Sequence, residues 1–211
     1  MTTQEKNGIT EGVIWKQLLI FFFPILVGSF FQQLYNTVDS VIVGQFVGKE
    51  ALSSVGGSAG QIISLVVGFF TGVSTGATVI ISQYFGAGKK EEIEESHHTA
   101  YAFGLVGGLV LGIAGIVFAP QMLRWMNTPE ELIAESVLYV RVYFSGLIFI
   151  FIYNMGAAIL RAVGDSKRPL YYLIVCSVVN IILDLLLILV IPLGVLGAAI
   201  ATLIAQAVSA V

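Results

Sequence analysis

One cysteine is present in 211 residues, and charged side chains make up only 11% of them. A lone Cys176 inside an apolar stretch excludes an internal disulfide and any CxxC metal site. It reads as a small buried apolar residue. Soluble domains carry roughly 25% charged residues, and a chain of this size could not hide so much apolar surface in one water-surrounded core. No basic stripe interleaved with aromatics is present, which excludes nucleic acid as a partner. The formal net charge of −3 says little about partners, because most charges sit in short clusters between apolar runs. The alternation of apolar and polar residues that marks membrane β-barrel strands of about 10 residues is missing as well. So is a cleavable leader. The first sixteen residues are polar, and the apolar run after them exceeds the roughly 7–15 residues of a signal h-region.

What fills the chain is apolar sequence: 57% hydrophobic residues and a mean hydropathy of +0.93. Six runs stand out, at 18–46, 52–84, 99–122, 136–160, 170–191 and 195–211. A helix needs about 20 residues to span the hydrocarbon, which the first five satisfy; the sixth reaches the last residue while still apolar. The expected fold is an all-α integral membrane bundle of six transmembrane helices (17–211), with residues 1–16 as a cytoplasmic tail. Lipid is the partner of its outer surface. Lys6, Lys16, Lys89, Lys90, Arg161, Lys167 and Arg168 would lie inside, against Lys49, Arg124 and Arg141 outside. That bias favours a cytoplasmic amino terminus. Trp15, Tyr171 and Tyr172 suit the membrane interface. Segment 89–98 (KKEEIEESHH) reads as a solvated connection, and its His97–His98 pair as a solvated feature rather than a metal site.

Most of the 23 glycines fall within the runs, among them Gly68, Gly72 and Gly76 in the second and Gly104, Gly107, Gly108, Gly112 and Gly115 in the third. In lipid, such residues let helix backbones approach closely. Pro24 removes a backbone donor inside the first run and is expected to kink it.

Of thirteen acidic residues, only Asp39 and Asp184 lie within apolar runs. An Asp at the bilayer centre costs roughly 2.5–3.5 kcal/mol on insertion scales, so each is a functional candidate. Both fall in the outer half; at about 1.5 Å per residue, Asp184 sits some 20 Å from the inner end of its helix. Asn180 stacks four residues from Asp184, and Gln32, Tyr35, Asn36 and Asp39 form a polar stripe on an otherwise apolar helix. Thr202 on the returning sixth helix and Tyr139 near the outer end of the fourth can reach a similar level. All of these offer oxygen, the ligand hard cations prefer, and a proton or a sodium ion would relieve the repulsion of paired carboxylates. The expected cation site is Asp39, Asp184, Asn180, Thr202 and Tyr139, with sodium held by Asp39, Asn180, Asp184 and Thr202.

Four fragments in order carry a resemblance. PILVGSFFQQLYNTVDSVIVGQFVGKEALSSVG at 24–56 resembles the opening of multidrug and toxic compound extrusion (MATE) transporters. ISQYFGAGKKEE at 81–92, LRAVGDSKRP at 160–169 and GVLGAAIAT at 194–202 are similar to later signatures of that family. The resemblance covers essentially the whole chain but only half the family's architecture of two six-helix lobes, and is closest to the bacterial branches. It implies a cation-coupled antiporter in the bacterial inner membrane that exports amphipathic organic cations and drugs. No cofactor is implied beyond a coupling sodium ion or proton. The implied partner is a second six-helix lobe or a second copy. It places a cation site on the same Asp39, Tyr139, Asn180, Asp184 and Thr202, with Gln32, Tyr35 and Asn36 toward a substrate cavity and Pro24 at a bend in the first helix. Three other readings remain. A lipid-linked sugar flippase would need cations in the helix interiors, which in the sequence hold only Arg141, near an outer end. An intramembrane aspartyl protease would pair YD with GxGD, whereas YNTVD stands at 35–39 and VGD at 163–165 lies in a connection. The third is a half-length chain without transport of its own.

Overall fold

The computed structural model describes residues 13–210; residues 1–12 of the expected tail, Lys6 among them, and Val211 lie outside the described part. Among the described residues every regular element is a helix. The first is α1 (Ile14–Ile42), which takes in Trp15 and Lys16 and runs on through a π-helical turn, Val43–Val47. Gly48, at φ +129°, supplies the turn that only glycine adopts freely. A short helix α2 (Lys49–Gly56) and the long α3 (Ser58–Gly86) follow, so the second apolar run is two helices broken at Gly57. α4 (Lys90–Trp125) begins nine residues ahead of the third run, which makes 90–98 solvated helix rather than open connection. The fourth run is also divided, into α5 (Glu130–Ser145) and α6 (Leu147–Ala162), bent by 49° at Gly146. α7 (Lys167–Asp184) ends in a second π-helical turn, Leu185–Val190, and α8 (Val195–Ala210) closes the described chain.

Four of these are long and apolar enough to cross a membrane, and the bent α5–α6 pair makes a fifth such span; α8 is a shorter apolar helix. Their outer faces carry exposed Phe22, Phe23, Val106, Leu109, Ile113 and Val117. Such faces suit hydrocarbon and would be untenable against water. The bundle closes on Phe70, Val140, Phe144, Leu147, Phe151 and Met155, all at most 3% exposed. Glycine makes the α4 seam possible. A Cβ at Gly104 would overlap the ring of Phe151, and one at Gly115 the ring of Phe144.

Helices α1 and α7 pack side by side. The same offset in residue number separates Gly28 from its neighbour Leu173 and Asp39 from its neighbour Asp184, as two parallel helices in register require. Their π-helical turns then meet at one level. The helix continues through Pro24; the proline leaves the Ile20 carbonyl without its helical donor. Of the 29 residues of α1 only Pro24, Gly28 and Ile42 are buried, so α1 is held chiefly along this one seam.

The LRAVGDSKRP segment makes the turn from α6 into α7. The Gly164 N–H donates to the Arg161 carbonyl and the Asp165 N–H to that of Leu160, with Gly164 at φ +92°, a glycine C-terminal cap. Asp165 Oδ1 then accepts the Lys167 and Arg168 N–H groups, each at 3.1 Å, while its Oδ2 pairs with Arg168 Nε at 3.1 Å. Pro169, in the first turn of α7, forfeits no helical donor bond there. Asp165→Ala is expected to lower stability by about 1 kcal/mol, the usual worth of a helix cap, with Asp165→Asn retaining most of it. Thermal unfolding in detergent reads the difference.

Candidate functional site

Asp39 on α1 and Asp184 on α7 face each other closely enough to share one proton. Asp184 is fully buried, while Asp39 is half-buried with its Oδ1 enclosed. One turn before Asp184, Asn180 is buried and its Nδ2 donates to Thr202 Oγ1 of α8 at 3.5 Å. Tyr139 of α5 is 6% exposed and lies within electrostatic reach of both carboxylates. The five residues named from the sequence are thus gathered from four helices into one cluster.

The cluster is rich in acceptors and poor in donors. Asp39 Oδ1, Asn180 Oδ1 and both Asp184 oxygens are buried with no hydrogen-bond partner. A buried polar atom without a partner costs roughly 1–3 kcal/mol, and more when charged. Four in one place point to a positive charge as the missing partner: a proton bridging the carboxyls would satisfy two of the oxygens, and a hard cation could take all four. Among the described residues no three of His, Cys, Asp and Glu form a metal-holding group, so such a cation would depend on the neutral oxygens of Asn180, Thr202 and Tyr139. The two π-helical turns begin at residues 43 and 185, four residues and one residue beyond the two aspartates. Such turns are frequent at functional sites, and no sequence signal marks them.

A polar cavity of about 230 Å³ opens beside the cluster, between α1, α3, α6 and α7, with Tyr143 of α5 and Gln206 of α8 completing its lining. Gln32 and Tyr35 of the α1 polar stripe line it, with Pro24 and Pro169 together at its far end; Asn36 is exposed and does not line it. Tyr35 and Tyr143 form the wall nearest the carboxylates: Tyr35 lies within electrostatic reach of Asp39, and the Tyr143 ring sits 6.3 Å from that of Tyr139. Ion cluster and cavity therefore share a tyrosine partition, and α1 contributes to both.

The structure corrects the sequence reading at Arg161. The residue belongs to the last turn of α6, is half-buried and lines the cavity, so a cation borders that space. Arg141 turns away, its Nε donating to the Ile116 carbonyl of α4 at 3.1 Å. Tyr143, Tyr153, Asn154 and Gln206 also line the cavity without having been singled out. Helical spacing was the available signal: Asn154 stands seven residues before Arg161, and Gln206 four after Thr202, which places each pair on one helix face.

A family model described as MatE matches residues 24–186. The Probable multidrug resistance protein YoeA of Bacillus subtilis strain 168 is 34% identical over 208 residues, covering 97% of this chain and 44% of that protein. The Probable multidrug resistance protein YpnP of the same organism is 34% identical over 203 residues, covering 95% and 45%. A solved outward-facing multidrug resistance MATE family transporter of the MOP superfamily superposes with a TM-score of 0.92 at 27% identity, covering all of this chain and 46% of that one. The chain spans about half the length of the curated relatives it matches.

Proposed function

Because the chain belongs to the multidrug and toxic compound extrusion (MATE) family, we propose that it is half of a secondary antiporter exporting amphipathic organic cations in exchange for sodium ions or protons. The observation that carries this reading is the set of four donor-less buried oxygens on Asp39, Asn180 and Asp184. The coupling ion binds there, with Thr202 and Tyr139 completing the shell, and bridges α1 to α7. Substrate occupies the cavity lined by Gln32 and Tyr35, further along the same polar stripe of that helix. A second six-helix lobe, or a second copy, encloses the remainder. The protein sits in the bacterial plasma membrane with its amino terminus in the cytoplasm, so the ion enters from outside. An inward charge movement is worth about 2.3 kcal/mol per 100 mV.

Coupling requires the ion to prefer one arrangement of α1. That helix is loosely held, with three buried residues in 29, and its Asp39 end is the part the ion grips. Charge neutralisation there draws α1 toward α7 and narrows the cavity, which releases substrate outward. Family members are transporters, and no chemical step falls to any of these residues.

The test uses the two-lobe assembly in liposomes, loaded with a fluorescent organic cation, under a sodium gradient and a pH gradient imposed separately. Dye efflux is expected to follow one or both gradients and to stop when an ionophore collapses them. Efflux at an unchanged rate with neither gradient present would rule the antiport reading out.

A further inference from the structure

We propose that Arg161 is an anion subsite, holding a carboxylate or phosphate group of the exported molecule, so that the cavity selects amphoteric compounds over simple cations. This rests on the assignment of the cavity as the export chamber and adds to it the charge of the substrate's second end.

Three observations converge. First, Arg161 lines the cavity of about 230 Å³ and an adjoining one of about 220 Å³, and neither lining contains an Asp or Glu. Second, no ion pair among the described residues includes Arg161. The carboxylate nearest in sequence, Asp165, is committed to the Lys167 and Arg168 N–H groups and to Arg168 Nε. Third, the polar groups that line these cavities with it are neutral: Thr71 and Asn154 line both, and Tyr153 and Gln206 line the larger. A half-buried charge in a chamber without a counter-charge is poised for one supplied by the occupant. The planar guanidinium fork fits a carboxylate or phosphate oxygen pair.

Position adds a polarity. Along α1 the cavity runs from Pro24 to Tyr35, about 16 Å at 1.5 Å per residue. Tyr35 adjoins the aspartate pair at one end, while Arg161 sits toward the other, near the start of α7. A molecule lying along the chamber meets negative potential through the tyrosine wall and positive potential at the guanidinium. One guanidinium answers one anionic group; a pyrophosphate would call for more.

The experiment measures equilibrium binding to the purified two-lobe protein by fluorescence polarisation, with no ion gradient. The probes are a rhodamine dye bearing a free carboxylate and its ethyl ester, which share one cationic ring system. The wild type is expected to bind the acid more tightly than the ester. Arg161→Gln should weaken the acid about tenfold or more while changing the ester less than about twofold, and Arg161→Lys should recover part of the loss. The unchanged ester affinity doubles as the control for folding. Equal loss for both dyes would make Arg161 a structural residue, and an absence of preference in the wild type would mean that the guanidinium is already engaged by a carboxylate of the second lobe; either result overturns the proposal. Failure of both dyes to bind would remove the chamber assignment and this subsite together. Loss of ion coupling in the efflux assay, with the charge preference intact, would leave the subsite standing.

Discussion

Replacing Asp39 and Asp184 together by asparagine is expected to abolish ion-driven export while leaving a folded protein. The physical ground is the donor deficit in the cluster. Two ionised carboxylates about 4 Å apart repel by about 4 kcal/mol at an effective dielectric of about 20, and Asp184 has no donor on either oxygen. Asparagine keeps the shape, removes both charges and brings N–H donors that the facing amide can accept. Folding should therefore survive, and stability in the absence of ions should hold or rise. What disappears is the ligand. A cation at 100 times its Kd stabilises the native state by about 2.7 kcal/mol, so wild-type Tm should climb by several degrees on titration with the coupling ion. The double variant should not respond. Of the single variants, Asp184→Asn should be the more severe, because Asp184 is fully buried and Asp39 only half-buried. Export in the two-lobe assembly should fall at least about tenfold in the double variant. If it exported at the wild-type rate under the same gradient, the ion site would have to be sought elsewhere.

The aspartates were legible because a charge inside an apolar run is expensive and so stands out as a functional candidate. Depth counting then sufficed to bring them together, since α1 and α7 run parallel in register and Asp39 meets Asp184 as Gly28 meets Leu173. The breaks in the helices were not legible. The Ser145–Gly146 pair is a step at which helices kink, but it lies inside a run apolar enough to be taken as one span, so the 49° bend between α5 and α6 was not drawn from it. A glycine in a membrane run ordinarily signals close packing, and Gly146 does that too: a Cβ there would lie 3.0 Å from Leu203. Gly57 was hidden in the same way, as one more small residue in a glycine-rich stretch. Arg161 was assigned to a connection because its charge ended the apolar run. The apolar run ends at Leu160, whereas the helix continues to Ala162 and carries Arg161 in its last turn. The π-helical turns have no sequence counterpart at all; they lie where the ends of α1 and α7 meet.

The α4 glycines yield the largest expected effect on stability, and its sign differs between positions three residues apart. At Gly104 even an alanine methyl would overlap the Phe151 ring. Phe151 cannot swing aside cheaply, because it is fully buried and edge-packed on Phe70, with ring centroids 5.2 Å apart. At Gly107 the nearest atom to a new Cβ is Phe70 Cε1 at 3.9 Å, an ordinary contact. Alanine is favoured over glycine within a helix by about 1 kcal/mol, so Gly107→Ala should be neutral or stabilising by up to that amount. Gly104→Ala should instead destabilise by about 1–3 kcal/mol, the usual cost of overpacking, and the larger Gly104→Leu should prevent assembly of the bundle. Shrinking the opposing ring should restore part of the loss, so Gly104→Ala combined with Phe151→Leu should unfold at a higher temperature than additivity of the single variants predicts. Thermal unfolding in detergent distinguishes these outcomes. A Gly104→Ala protein as stable as Gly107→Ala would mean that Phe151 yields without cost, and that the close approach of α4 to α6 does not depend on glycine.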